Sequence, residues 1–200
     1  MKENSERTVK WLKVLMVIAI VSLVNSFLSI QPFFPLGFTT WISRALMLAM
    51  TISMIKMAPI HPRYQKAGIY RGAMLVLTLI TAFVFASSFL TIAASVLSIM
   101  AVYQEYIAHS ELVEEFDPKL SQKWHSLFNW GIVAAVLVGF ASFVAAMLVV
   151  MMQFDSLNMS ALIVAVLSIP QFIIDVVYLR YIIKMIGYFE GREEVTHDEA

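Results

Sequence analysis

Residues 72–102 read GAMLVLTLITAFVFASSFLTIAASVLSIMAV, a run of 31 positions without a charged side chain. As a single helix the run would be about 46 Å long, well beyond the roughly 30 Å of a bilayer's hydrocarbon core. Ser87 and Ser88 are the only adjacent hydroxyl residues within it. We therefore predict a tight external turn there, between two membrane-spanning helices at 67–86 and 89–107.

The whole chain has the composition of a membrane protein. Of its 200 residues, 60% are apolar and 14% are charged, with a mean hydropathy of +0.79. Soluble domains are roughly half apolar and a quarter charged, so we expect a lipid bilayer to surround most of this protein. The formal net charge is zero, which gives no reason to expect a nucleic-acid partner. The absence of cysteine excludes disulfides, thiolate metal sites and cysteine nucleophiles.

Prolines and polar loops divide the remainder of the chain. Pro32 and Pro35 separate a first span from a second. Asp117 and Pro118 together form a good start for a fifth helix, and a polar loop at 153–160 precedes a sixth. The predicted fold class is all-α, a polytopic integral membrane helical bundle with six transmembrane helices in a single membrane domain. The spans are expected at 11–30, 36–57, 67–86, 89–107, 124–152 and 161–185.

The N-terminal segment fits either a cleaved signal peptide or a retained first helix. The apolar stretch is long and further spans follow it, so we favour the retained helix. Orientation follows from the basic residues, because short loops rich in Lys and Arg stay in the cytoplasm. With six spans, thirteen of the fourteen basic residues fall on one side, the exception being Arg44 inside the second span. Both chain ends are therefore expected to be cytoplasmic, in a bacterial cell (inner) membrane.

The segment 103–123 is predicted to form a helical hairpin on the cytoplasmic side. If the fourth helix continues, its 100° step aligns one stripe of residues. This stripe comprises Glu105, His109, Leu112 and Phe116. Leu120, Trp124 and Leu127 on the next helix can pack against it.

Glu105, His109 and His125 have side chains that could bind a metal ion or transfer protons. None of the recognised metal-binding spacings is present, so a solvated hairpin is preferred and a metal or acid–base site is the alternative. The sequence also lacks a glycine-rich phosphate loop and a nucleophile elbow. A hydrolytic or nucleotide-dependent enzyme is therefore disfavoured, and no cofactor is expected.

Polar residues inside the predicted spans form a candidate intramembrane polar site. Arg44 would lie about 12 Å below the outer boundary, where a charge without a partner is costly. Asn25 on the first span reaches nearly the same depth, so a contact between the two is geometrically reasonable. Asp175 would lie about 9 Å deeper than Arg44. Its charge could be met by Arg44, by Arg71 or by protonation.

Pro170 and Gln171 lie near the middle of the sixth span. Proline frees a backbone carbonyl and kinks the helix, while Gln171 offers amide groups at a similar depth. Interrupted helices in transporters expose such groups to substrate, but a kink can also serve packing alone. Both readings remain open.

Small residues recur every four positions in the fifth span, at Gly131, Ala135 and Gly139. This spacing lets another helix approach closely and predicts a helix-packing face. The face could pack within the protein's own bundle or against a second protein.

Three functional classes remain. A non-enzymatic subunit or accessory protein of a membrane complex is favoured, because recognition features are present and chemical motifs are not. The alternative, a small-solute transporter or substrate-binding membrane subunit, rests on Asn25, Arg44, Pro170, Gln171 and Asp175. An intramembrane enzyme is the third class. The expected partners are the lipid bilayer and either another membrane protein or a small solute.

Overall fold

The computed structural model describes residues 2–30, 36–84, 87–152 and 156–198, with side chains at 5–28, 37–84, 87–137, 140, 147 and 169–191. Within these ranges the chain forms six α-helices, in agreement with the predicted all-helical class. They are α1 (Lys2–Ile30), α2 (Leu36–Met57), α3 (Pro62–Phe83), α4 (Ser88–Val113), α5 (Pro118–Met152) and α6 (Ser156–Asp198). The predicted proline turn at 31–35 lies outside the described residues.

Among the residues that the structure describes, four stretches are long and apolar enough to cross a membrane, judged by length and composition. They are Ser5–Leu28, Gly37–Met57, Pro62–Phe83 and Ser88–Val113. The chain is therefore a helical protein compatible with a membrane, and these stretches overlap the first four predicted spans. The predicted fifth and sixth spans lie in α5 and α6, where many side chains fall outside the described residues. The number of spans and their orientation stay predictions.

The uncharged run at 72–102 is divided between two helices, as predicted. α3 ends at Phe83 and α4 begins at Ser88. Ser87 has an extended backbone immediately before α4, with φ −141° and ψ 126°. Since α3 and α4 lie side by side, a single long helix over this run is ruled out.

Both helices that begin with proline have a capping residue before it. His61 is extended, and its Nδ1 accepts a hydrogen bond from the Arg63 backbone N–H at 3.4 Å. This cap starts α3 at Pro62, five residues before the predicted span. Proline suits the first helical position because it has no N–H to satisfy.

Asp117 caps α5, which begins at Pro118 as the sequence predicts. Its Oδ1 accepts a hydrogen bond from the Leu120 backbone N–H at 2.9 Å. The Tyr188 hydroxyl donates to the other carboxylate oxygen at 2.7 Å. These hydrogen bonds hold the pKa of Asp117 below its ordinary range, and the bond from Tyr188 has the largest effect. The cap thereby also ties the start of α5 to the last part of α6.

The described helices close a ring. Each helix packs against its neighbours in sequence, and α6 packs against α1. Neighbours run antiparallel: Arg7 of α1 donates to the carbonyl of Lys56 at the end of α2, at 3.5 Å. Lys13 of α1 forms an ion pair of 2.6 Å with Glu190 near the end of α6. One end of the ring therefore collects the starts of α1, α3 and α5 and the ends of α2, α4 and α6, and we call it the packed end.

The buried core lies at the packed end. Its largest fully buried apolar side chains are Leu12, Leu15, Met54, Met57, Tyr64, Leu120, Trp124, Ile182 and Met185. Toward the opposite end, described apolar side chains are mostly exposed, including Phe83 at 64% and Phe89 at 76%. Helices that are apolar on their outer faces suit contact with lipid.

Gly68 permits a close approach of α3 to α2 at the packed end. A Cβ at this position would lie 2.7 Å from the Ile55 Cγ1 and 3.2 Å from the Ile55 backbone nitrogen. Such contacts are too short for any side chain without a shift of α2. Glycine is therefore favoured here by packing rather than by backbone conformation.

Candidate functional site: a polar cavity inside the ring

A cavity of about 300 Å³ lies inside the ring, with walls from α1, α2, α3, α4 and α6. Its polar wall comprises Ser22, Asn25, Ser26, Ser43, Arg71, Glu105, Tyr106, Gln171, Asp175 and Tyr178. Its apolar wall comprises Ile18, Ala19, Leu46, Met47, Met50, Met74 and Val102. Polar groups thus converge from five mostly apolar helices on one space.

The floor of the cavity is a buried ion pair. Glu105 on α4 is 0% exposed, and one of its carboxylate oxygens is bound by the Arg71 guanidinium of α3. The other oxygen accepts a hydrogen bond of 2.7 Å from the Tyr178 hydroxyl of α6. A carboxylate buried this deeply needs such partners, because taking a charge out of water is costly. Three helices are therefore joined at one carboxylate.

His109 lies one turn beyond Glu105, on the side away from the cavity. Its Nε2 is 3.7 Å from a Glu105 oxygen, and its Nδ1 is 2.8 Å from the Tyr64 hydroxyl. The imidazole is fully buried and packs on Trp124, with ring centroids 4.6 Å apart. A Tyr64 hydroxyl that donates to Nδ1 leaves the imidazole proton on Nε2, where it faces Glu105.

Toward the packed end, the cavity is followed by a layer of fully buried side chains. Leu15, Met54, Ala67, His109 and Ile182 are all 0% exposed. They come from α1, α2, α3, α4 and α6, the same helices that line the cavity. The described core next to the cavity is therefore buried on all five of these helices.

Asn25 forms part of the wall between α1 and α2. Its amide nitrogen donates to the Thr39 carbonyl at 3.2 Å and to the Ser43 hydroxyl at 2.8 Å. The residue is only 6% exposed, and its amide oxygen is buried without a hydrogen-bond partner among the described residues. Asn25 thus carries an unpaired acceptor within the wall between α1 and α2.

Gln171 and Asp175 occupy successive turns of α6. The Gln171 side-chain amide donates to an Asp175 carboxylate oxygen at 2.8 Å. Within the described part of the chain, no Lys, Arg or His forms a salt bridge with Asp175. Pairing with Arg71 was one of the three predicted ways to balance the Asp175 charge. It is not observed, since Arg71 binds Glu105.

Pro170 lies inside α6, which continues as one helix past it. It lines a second, mainly apolar cavity of about 420 Å³ between α5 and α6, together with Trp130 and Tyr181. Pro170 and Gln171 therefore face different spaces, although they are adjacent in sequence.

Arg44 is placed away from the central cavity. Its guanidinium carbon lies 4.9 Å from the ring centroid of Trp41 and 5.3 Å from that of Phe83. A cation over aromatic faces is stabilised by their quadrupoles. The hydrogen bonds of Asn25 go to α2 residues other than Arg44, and no described salt bridge joins Arg44 to Asp175. Of the predicted polar site, the cavity brings together Asn25, Gln171 and Asp175.

The candidate metal or acid–base residues are divided. Glu105 and His109 are adjacent and buried, whereas His125 is exposed on α5. Among the residues that the structure describes, no group of three His, Cys, Asp or Glu side chains could hold a metal ion. An acid–base role for the adjacent pair is not tested by this geometry.

The predicted packing face of α5 is only partly described. A Cβ at Gly131 would meet no described atom within 4 Å, and Ala135 is exposed. The surroundings of Gly139 lie outside what the structure describes. The two described members of the face therefore make no close helix contact within the described chain.

Sequence reasoning missed the cavity floor. A buried pairing of Arg71 with Glu105 at a cavity was not predicted, and Tyr178 was not singled out. Their positions in the sequence could have indicated the pair, because Arg71 and Glu105 are the charged residues nearest to the two ends of the uncharged run at 72–102. Opposite charges at the same end of two adjacent antiparallel helices can pair.

No protein-family model, curated protein or solved structure matches this chain.

Proposed function

We propose that this membrane protein binds a small solute in the central cavity, either as a transporter or as a substrate-binding membrane subunit. The observation that carries the proposal is the cavity itself, a polar space inside a ring of mostly apolar helices. Its volume of about 300 Å³ is at the lower end of the range for small-molecule sites. Convergent polar groups within an apolar enclosure are typical of such sites.

The buried ion pair supports the same conclusion. Polar and charged groups inside a membrane are expensive and tend to face a bundle interior or a water-filled cavity. Arg71 and Glu105 face this cavity, and so does Asp175, which has no described counter-ion. A protein that needed only a stable bundle could replace the Arg71 and Glu105 pair by apolar side chains at little cost.

The proposed topology has six spans with both chain ends in the cytoplasm. It is supported by the distribution of basic residues, since all except Arg44 lie in the half of their helix nearer the packed end or in its flanking residues. With the packed end on the cytoplasmic side, the layer of fully buried side chains next to the cavity would lie on the cytoplasmic side of it. The expectation of a bacterial inner membrane remains a prediction.

Single cysteines test this topology, because the natural chain has none. Ser87→Cys should react with a membrane-impermeant maleimide from outside, and Gln122→Cys only after the membrane is opened. Gln122 is exposed, whereas the neighbouring Ser121 is 6% exposed and bonds to Ser110, so it would report poorly. Labelling of Ser87→Cys from the cytoplasmic side alone would refute the arrangement.

The accessory-subunit function remains the second candidate. It is favoured by the face at Gly131 and Ala135, which no described helix covers. Small residues at this spacing let another helix approach closely. A partner membrane helix would suit this face, and the same experiment addresses both functions.

Native mass spectrometry of protein extracted in mild detergent distinguishes the two candidates. The cavity proposal predicts a small molecule bound to the wild-type protein and lost from Ser22→Phe, since Ser22 lines the cavity and phenylalanine would fill it. Val21→Phe is the matched control, because Val21 is 41% exposed on the adjacent position of α1. It should keep the bound molecule.

Retention of the small molecule by folded Ser22→Phe would contradict the cavity proposal. A stoichiometric protein partner, released by Gly131→Leu and not by Ser22→Phe, would favour the accessory function instead. Circular dichroism of each variant checks that the helical content is unchanged.

A further inference from the structure

Three charged side chains line the central cavity, and their partners differ. Both carboxylate oxygens of Glu105 are occupied, one by Arg71 and the other by Tyr178. Asp175 has a single described partner, the neutral amide of Gln171. With all three groups ionised, Arg71 and Glu105 cancel and the cavity keeps one negative charge, at Asp175.

An anionic solute would fit this arrangement poorly. The charge of its obvious partner, Arg71, is already balanced by Glu105, which is fully buried. An anion bound to Arg71 would therefore give the cavity floor a net negative charge, and drawing the guanidinium toward the anion would weaken a buried ion pair. The same solute would also approach the negative charge of Asp175.

The remaining wall favours an organic body over a bare inorganic ion. Ile18, Leu46 and Val102 present apolar surface to the cavity, and Tyr106 and Tyr178 present aromatic rings. A bare metal ion would need several oxygen ligands around it, whereas an apolar wall suits a hydrocarbon group. Aromatic rings also attract cations electrostatically.

From this geometry we propose that the solute of the cavity is a small organic ammonium compound with an apolar body, bound through its charge at Asp175. The inference rests on the proposed solute-binding function and specifies its substrate class. The ammonium group donates to the Asp175 carboxylate, and the apolar body packs against the aliphatic and aromatic wall.

Three probes of similar size and different charge test the inference. They are 2-phenylethylamine as its ammonium form, 2-phenylethanol and 3-phenylpropionate, titrated into the purified full-length protein by calorimetry at neutral pH. The ammonium probe should bind about tenfold or more tightly than the alcohol, as a charge-assisted hydrogen bond requires. The carboxylate probe should bind most weakly.

Asp175→Asn removes the charge and keeps the shape of the side chain. In this variant the ammonium probe should lose its advantage, while the alcohol should bind as it does to the wild type. Asp117→Asn is the control, since Asp117 caps α5 at the surface of the packed end and does not line the cavity. It should leave all three affinities unchanged.

The ranking in the wild-type protein decides the inference even if Asp175→Asn fails to fold. Tightest binding of the alcohol or the carboxylate, abolished by Ser22→Phe, would overturn the cationic class and leave the cavity function standing. Unchanged preference for the ammonium probe in folded Asp175→Asn would overturn the role of Asp175. Absence of binding by all three probes would count against both the inference and the proposed function.

Discussion

The same apolar helices form the packed end of the ring and the opposite end, but the two ends differ in how far their side chains are buried. At the packed end, the aromatic side chains of Tyr64, Trp124 and Tyr178 are buried around the imidazole of His109. At the opposite end, Phe83 and Phe89 are largely exposed. Lipid gives helices no hydrophobic reason to associate. The helices are therefore held together where polar groups and large rings interlock.

Two arginines inside candidate spans make the contrast specific. Arg71 has a side chain only 15% exposed and binds a fully buried carboxylate on the next helix. Arg44 lies over the rings of Trp41 and Phe83 in the other half of the ring. The first charge joins two helices through a buried ion pair, whereas the second rests on aromatic surface.

The largest expected effect is that of Arg71→Leu. This substitution leaves Glu105 buried without its cation, and breaking a buried pair from one side costs about 3 to 5 kcal/mol. We expect a loss of that order in the free energy of unfolding, measured by far-UV circular dichroism as SDS is added to the protein in mixed micelles.

Arg44→Leu is the matched control from the opposite end. A cation over exposed aromatic rings contributes about 0.5 to 1 kcal/mol, so its loss should be small. Adding Glu105→Gln to Arg71→Leu should restore part of the stability, because the uncompensated charge is then removed. Equal losses for the two arginines would show that the two ends do not differ in the way described.

The helix boundaries were predictable because they depend on local chemistry. Asp117 and Pro118 form a cap that needs only adjacent residues, and the break near Ser87 followed from the length of the uncharged run. The closure of α6 on α1 was not predictable, since it joins the first helix to the last. Contacts such as that between Lys13 and Glu190 have no signature in either segment alone.

The candidate site was predictable only in part, for a related reason. Depth arguments selected Asn25, Gln171 and Asp175, which the structure places at one cavity. The same arguments placed Arg44 near Asn25, because depth alone does not tell which way a side chain points around a helix. Trp41 precedes Arg44 by three residues, so the two share a helix face. This spacing could have indicated that the Arg44 guanidinium lies over the Trp41 ring.

The cavity floor depended on a pairing between helices. Arg71 and Glu105 are separated by 34 positions, and each has other charged residues nearer in sequence. The local patterns that define a helix do not rank such partners. Burial decides among them, because only a pair in the core must be closely matched.

Close backbone packing offers a second, smaller test of the difference between the ends. Gly68 lies at the packed end, where a Cβ would lie 2.7 Å from the Ile55 side chain and 3.2 Å from its backbone nitrogen. The side chain could rotate, but the backbone nitrogen could move only with α2. Gly68→Ala should therefore lower the free energy of unfolding by about 1 to 3 kcal/mol, the usual cost of overpacking.

Gly131 in α5 provides the matched control, because a Cβ there meets no described atom within 4 Å. Alanine is a better helix former than glycine by about 1 kcal/mol, so Gly131→Ala should be neutral or slightly stabilising in the same SDS titration. A loss in Gly131→Ala as large as that in Gly68→Ala would mean that the α5 face is packed against another helix. An unchanged stability in Gly68→Ala would show that α2 yields at Ile55 without cost, and that close packing does not distinguish the packed end.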